Sequence, residues 1–218
     1  MTVTFKAGEK LVMIGDSITD CGRSRPLGEG ANGLGNGYVA VVDAWLKVQH
    51  PELNLRIVNA GSSGHTVRDL NNRWQTDVLD VRPDWLSIMI GINDVWRQFD
   101  QPTLSETHVY LDEYETTLRA LVESSKRQVK GIVLMTPYYL EPHLDDPMRA
   151  TMDLYGSAVA RVASETGSLL VDTQQAFAPI LTALYPAALG WDRVHPNLAG
   201  HLVIAKAFLR AVGYDWAN

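Results

Sequence analysis

Five short, predominantly apolar runs constrain this chain more than any other feature. They lie at residues 10–14, 55–59, 85–90, 131–136 and 168–172. Their apolar residues are mostly consecutive and do not alternate with polar ones along the run, so the strands they form are expected to be covered on both faces. Longer segments with helical periodicity separate them, at about 37–49, 66–80, 111–126 and 149–166, and two more follow the last run, at about 174–184 and 198–212. Strands of this kind, alternating with helices, form a parallel sheet with helices on both sides. The pattern predicts an α/β fold: a three-layer sandwich around a five-stranded, mostly parallel sheet. At 218 residues with 46% hydrophobic content, the chain suits one well-buried domain spanning 1–218, without a linker or internal repeat.

Open α/β sheets place their ligands at the carboxyl ends of the strands, and three of these ends carry reactive residue types. Gly15-Asp16-Ser17-Ile18-Thr19 follows the first run. Asp16 and Thr19 are helix-capping types, so Ser17 is expected near a helix N-terminus, where backbone N–H groups can face a developing oxyanion. Asn59-Ala60-Gly61-Ser62-Ser63-Gly64-His65-Thr66 follows the second run, and its glycines let the backbone approach a ligand closely. The third run ends in Gly91-Ile92-Asn93-Asp94, which presents the Asn93 amide as a donor. A serine nucleophile needs a base, and the base needs an orienting group. Asp192 and His195, three residues apart in Trp191-Asp192-Arg193-Val194-His195-Pro196-Asn197, supply both. Pro196 keeps His195 out of helical geometry just before the last helix. Taken singly, these are a capping turn, two loop residues and a surface pair. Together they supply Ser, Gly, Asn, Asp and His, the residue types an acyl-transfer site needs.

Gly15-Asp16-Ser17, Gly64, Gly91-Ile92-Asn93-Asp94 and Asp192-Arg193-Val194-His195 resemble the four motif blocks of the GDSL/SGNH hydrolases, in order and along nearly the whole chain. The resemblance implies a flavodoxin-like strand arrangement. It implies Ser17 as nucleophile, with His195 as base and Asp192 as its orienter. The oxyanion hole would come from Ser17 N–H, Gly64 N–H and the Asn93 amide. Within the family, residues 15–25, 66–70, 90–97 and 185–195 are most similar to the intracellular acetyl-xylooligosaccharide esterases. The implied activity is removal of O-acetyl groups from short xylo-oligosaccharides through an acyl-enzyme. A general short-chain esterase, thioesterase or lysophospholipase is the neighbouring alternative. A non-catalytic carbohydrate-binding module on the same scaffold is the more distant one. Asp16, Trp96 and Trp191 are the candidate substrate-binding residues, either tryptophan being able to stack on a sugar ring.

Other features narrow the partners. A net charge of −6 disfavours nucleic acid or an anionic membrane as partner. No stretch approaches the ~20 apolar residues of a membrane span, and the polar first ten residues do not read as a secretory signal. The single cysteine, Cys21, allows no intrachain disulfide and suits a reducing compartment. It is expected to be a buried structural thiol. A cytoplasmic enzyme acting on imported oligosaccharides is therefore expected. Residues 28–33 fit G-x-G-x-x-G literally, but a dinucleotide fingerprint must follow its strand directly, and here Ser17 already occupies that turn. The histidines show no metal-ligand spacing, so neither metal nor cofactor is expected. The apolar stretch 185–191 is a candidate self-association patch, making a homo-oligomer the expected assembly.

Overall fold

The computed structural model describes residues 5–30 and 32–216. Ala31, inside the 28–33 glycine match, lies outside the described residues. The strands are β1 (Lys10–Gly15), β2 (Arg56–Asn59), β3 (Trp85–Met89), β4 (Gly131–Met135) and β5 (Leu169–Val171). Each falls within one residue of an apolar run at both ends. They form one sheet in the order β2-β1-β3-β4-β5, every pairing parallel. Leu11, Val12, Met13 and Ile14 of β1 are wholly buried, as a strand covered on both faces requires. The chain steps from β1 out to β2, then returns to β3 on the other side of β1. The strand order thus reverses beside β1, and the crevice past its carboxyl end is the natural ligand site.

The helices are α1 (Ser17–Asp20), α2 (Tyr38–Gln49), α3 (Val67–Trp74), α4 (Ile92–Asp100), α5 (Leu111–Ser125), α6 (Pro147–Thr166), α7 (Thr173–Leu181) and α8 (Leu198–Ala211). α8 packs on α2 and α7, while α3, α5 and α6 pack in succession with α4 against α6. The two groups flank the sheet. Among the described residues, no helix is long and apolar enough to cross a membrane.

Four helical expectations need correction. α4 is a full helix where only a turn after the third strand is expected. The segment 66–80 is not one helix: α3 is followed by a wide π turn at Gln75–Leu79. α6 starts two residues early, because Asp146 caps it by accepting the Arg149 N–H at 2.9 Å and Pro147 fits its first turn. α7 stops at Leu181 rather than 184, two residues past Pro179, whose missing N–H weakens a helix interior.

Candidate active site

The crevice beyond β1 is built by three turns. β1 ends at Gly15, and the Asp16 carboxylate accepts the Ile18 N–H at 2.9 Å, capping α1 and making Ser17 its first residue. Ser17 Oγ lies 2.9 Å from His195 Nε2, and His195 Nδ1 lies 2.6 Å from Asp192 Oδ2. The carboxylate can only accept, so Nδ1 carries the ring proton and Nε2 accepts from the Ser17 hydroxyl. The other oxygen, Asp192 Oδ1, accepts the backbone N–H groups of Val194 (3.0 Å) and His195 (2.8 Å). One carboxylate thus shapes the 192–195 turn and orients the imidazole inside it. The turn is held at its flanks: Leu140 donates to Arg193 O at 2.9 Å, and the Tyr138 hydroxyl donates to Val194 O at 3.1 Å. Asn197 then caps α8 through the N–H groups of Ala199 and Gly200. Burial works against the Asp192 charge, but the hydrogen bonds from His195 and Val194 outweigh it and hold the carboxyl below its ordinary range.

Gly64 sits in the β2–α3 loop with φ +81°, a conformation that favours glycine. Ser62 ties this loop to β1 by donating to Gly15 O at 3.0 Å. The Ser63 N–H and hydroxyl both donate to Asp20 Oδ2, at 3.0 and 2.9 Å, joining the loop to α1. At β3 the chain turns through Gly91, φ +130°, where an added Cβ would lie 2.9 Å from the Pro137 ring and 3.0 Å from the Tyr114 hydroxyl. That turn starts α4 and places Asn93 in its first turn. Asn93 Nδ2 donates one hydrogen to His65 O at 3.0 Å, leaving the second for another acceptor. The backbone N–H groups of Ser17 and Gly64 find no acceptor among the described residues. Three donors of the oxyanion-binding type are thus presented by three adjoining turns.

Asp16 is 1% exposed and engaged as a helix cap, so the expected substrate contact is corrected to a structural one. Trp96 is half-buried against the site, its ring edge-on to the His195 ring at 5.8 Å. Trp191 is 84% exposed beside Asp192. Cys21 is half-buried rather than buried, with Sγ 3.2 Å from His201 Nε2. This is no thiolate pair. Tyr38 N–H donates to His201 Nδ1, so Nε2 carries the ring proton. Burial, then the nearby Asp20 and Asp16 charges, push the thiol up to about 12, and burial pushes His201 down to about 4. Among the described residues, no group of three or more His, Cys, Asp or Glu side chains is arranged to hold a metal.

Four residues that sequence reasoning passed over hold these turns together. Asn59 is fully buried; its amide donates to Thr19 O (2.7 Å) and Leu34 O (2.8 Å), and its oxygen accepts the Gly61 N–H (2.9 Å). Asp20 fixes Ser63 as described. Arg73 reaches the ends of β1 and β2. Asp94 accepts the Val67 N–H at 2.9 Å, joining α4 to α3.

The two buried carboxylates beneath the site have a consequence for stability. Burial raises Asp16 to about 7 and Asp94 to about 8, against about 4 in an unfolded chain. The folded protein therefore holds protons there that the unfolded chain has already released. The stability this contributes is fully present below about pH 4, is lost progressively as pH rises, and levels off once pH has passed through the folded values of about 7 and 8. The depressed His201 and His65 act in the opposite sense only below about pH 6.5, the unfolded value for histidine. The urea midpoint is expected to fall between about pH 7 and pH 8.5, and to fall less in Asp94→Asn. A midpoint that rises over this interval, or an Asp94→Asn variant that follows the parent, contradicts the assignment.

The sequence profile of the GDSL-like Lipase/Acylhydrolase family matches residues 13–203, which include every turn of the site. The chain is 63% identical over 213 residues to an acetylxylan esterase from Geobacillus stearothermophilus, covering 97% of each chain. It superposes on the crystal structure of Axe2, an acetylxylan esterase from that organism, with a TM-score of 0.97 at 61% identity, covering 99% of this chain and 98% of the other. It is similar also to LAE5, an alpha/beta hydrolase enzyme from the metagenome of Lake Arreo, Spain: TM-score 0.94, 56% identity, 96% and 97% coverage. With the profile spanning most of the chain and relatives of this identity along almost its whole length, the chain belongs to the GDSL-like lipase/acylhydrolase family.

Proposed function

We propose that this chain is a serine carbohydrate esterase that removes O-acetyl groups from short xylo-oligosaccharides. The observation that carries the reading is the hydrogen-bonded line Ser17–His195–Asp192, in a chain 63% identical to an acetylxylan esterase. In this reading Ser17 Oγ attacks the acetyl carbonyl while His195 Nε2 takes its proton. Asp192 keeps the ring in the accepting tautomer and stabilises the imidazolium. The developing oxyanion is met by Ser17 N–H, Gly64 N–H and the free hydrogen of Asn93 Nδ2. The tetrahedral adduct collapses as His195 returns the proton to the sugar oxygen, leaving an acetyl group on Ser17. Water, deprotonated by the same imidazole, then releases acetate. Trp96 and Trp191 offer flat faces to the sugar.

The reading extends to setting and assembly. A lone thiol fits a reducing cytoplasm, where imported oligosaccharides would be the substrate. Leu184, Tyr185, Trp191 and Leu198 are all exposed, and self-association would cover them. Sedimentation velocity tests the assembly.

Mass spectrometry of acetylated xylo-oligosaccharides before and after treatment tests the activity, the expected product losing one acetyl mass at a time. Synthetic esters separate the specific from the general esterase. Acetyl esters should exceed butyryl and longer ones in kcat/KM, by about 1–3 kcal/mol for each added methylene in a tight pocket. Asn93→Ala should lower kcat roughly 10²-fold for every chain length alike, because the amide meets the common oxyanion and not the tail. A reordered chain-length series with acetyl turnover intact would make Asn93 a specificity residue instead. A profile flat from acetyl to octanoyl would replace the sugar deacetylase with a general acyl esterase.

A further inference from the structure

Arg73, near the end of α3, directs its whole guanidinium at the turns that carry the site. Nη2 donates to Gly15 O at 3.0 Å, and Nη1 to Ala60 O at 2.6 Å. Nε donates to the His65 ring at Nδ1, 3.1 Å away, and Asp77 steadies Nη1 at 2.8 Å. The side chain is only 12% exposed. Gly15 closes β1 two residues before Ser17, and Ala60 follows β2 at the root of the Gly64 loop. His65 follows Gly64 directly, and its carbonyl orients the Asn93 amide. The segments delivering all three oxyanion donors therefore meet either at this guanidinium or at the residue it holds. A rigid, planar fork with five donors suits that task, whereas an ammonium on a flexible stem does not. The bonds to Ala60 and Gly15 brace two neighbouring strand ends beside the last backbone bonds between them, from Ala60 N–H to Met13 O at 2.8 Å and from Ser62 N–H to Gly15 O at 3.0 Å.

We propose that Arg73 is a positioning residue for catalysis: it sets the mutual spacing of the Ser17, Gly64 and Asn93 donors without touching the substrate. The inference rests on the serine-esterase reading above. Its consequence is kinetic. Misplacing a reacting group by about 1 Å can cost on the order of 10²-fold, so the loss should appear in kcat. Substrate binding, made elsewhere, should change little.

The experiment compares Arg73→Met, Arg73→Lys, Asn93→Ala and the double variant Arg73→Met/Asn93→Ala on an acetyl ester, with folding checked by circular dichroism. Arg73→Met is expected to lose roughly 10- to 10²-fold in kcat with KM within about threefold. Arg73→Lys should recover only part of that loss. In the Asn93→Ala background the same substitution should cost less than about threefold, because the hole it aligns is already broken. A scaffold residue would instead multiply its loss in both backgrounds. His65 supplies an independent arm should Arg73→Met fail to fold. His65→Asn keeps an acceptor near the Nδ1 position and His65→Phe removes it, so the first should retain about tenfold more kcat than the second. A folded Arg73→Met with near-parental kcat, fully multiplicative losses, or equal His65→Asn and His65→Phe rates would each overturn the proposal. Ser17→Ala runs alongside: if it stays active, the serine-esterase reading has failed. If it is dead while Arg73→Met is unimpaired, only the positioning role has failed.

Discussion

Ser17→Ala is expected to lower kcat/KM for acetyl esters on the order of 10⁴-fold or more, with a thermal midpoint within a few degrees of the parent. The size follows from what the substitution leaves. Without Oγ there is no covalent path, and what remains is binding, the oxyanion donors and an imidazole able to activate water. Stability should hold because Ala keeps the backbone of α1's first residue, and the Asp16 cap reaches past it to Ile18. The one hydrogen bond lost is the 2.9 Å contact with His195 Nε2, on a ring that is 42% exposed and can turn to water. A serine-directed organophosphonate should label Ser17 in the parent and nothing in the variant. Labelling at Cys21 would redirect the mechanism, although a thiol pushed up to about 12 is a poor nucleophile near neutrality. Substantial turnover in a folded Ser17→Ala would remove the serine mechanism altogether.

The sheet is legible because its signal is local. A run such as Leu11-Val12-Met13-Ile14 has one good use in a chain of this size, and each of the five runs became a strand. The Ser, Asn and Asp-His turns are legible for a related reason: each sits at the end of a strand or just before a helix. What escaped was set by contacts distant in sequence. α4 was hidden because Asn93-Asp94, read as turn residues after a strand, masked the helical spacing of Ile92, Val95, Trp96 and Phe99. Asp16 adjoins the nucleophile and so reads as a substrate contact, but a carboxylate two residues before a free N–H has a nearer partner in the helix. Arg73 and Asp94 carry no local mark of their function. Arg73 meets Gly15 across 58 positions, and Asp94 meets Val67 across 27. Only the closing of the sheet brings those pairs together, and no periodicity encodes that.

Asp192→Asn should cost about as much as losing the nucleophile, on the order of 10⁴-fold in kcat, although it changes no atom that touches substrate. The reason lies in how the carboxylate divides its two oxygens. Oδ1 serves the Val194 and His195 N–H groups, and Oδ2 serves His195 Nδ1 at 2.6 Å. In the variant, the amide oxygen must stay with the two backbone donors, since an NH₂ placed there would meet two N–H groups. The amide nitrogen then faces Nδ1 as a donor. The ring has to shift its proton to Nε2, where it can no longer accept from Ser17. Geometry is kept and the base is lost. Nitrogen-15 NMR of the His195 ring reads this directly: protonated Nδ1 in the parent, protonated Nε2 in the variant. Stability near neutral pH should fall only modestly, because the turn keeps its two backbone hydrogen bonds but loses the carboxylate charge they meet. The depressed Asp192 carboxyl adds stability that is present above its unfolded value near 4 and lost as pH falls below it, so the variant should be less acid-sensitive than the parent. A loss under tenfold, or an unchanged ring tautomer, would show that His195 does not need Asp192 to hold its accepting form. The base would then have to be oriented from the Trp96 side, where the only ring contact to the imidazole among the described residues lies.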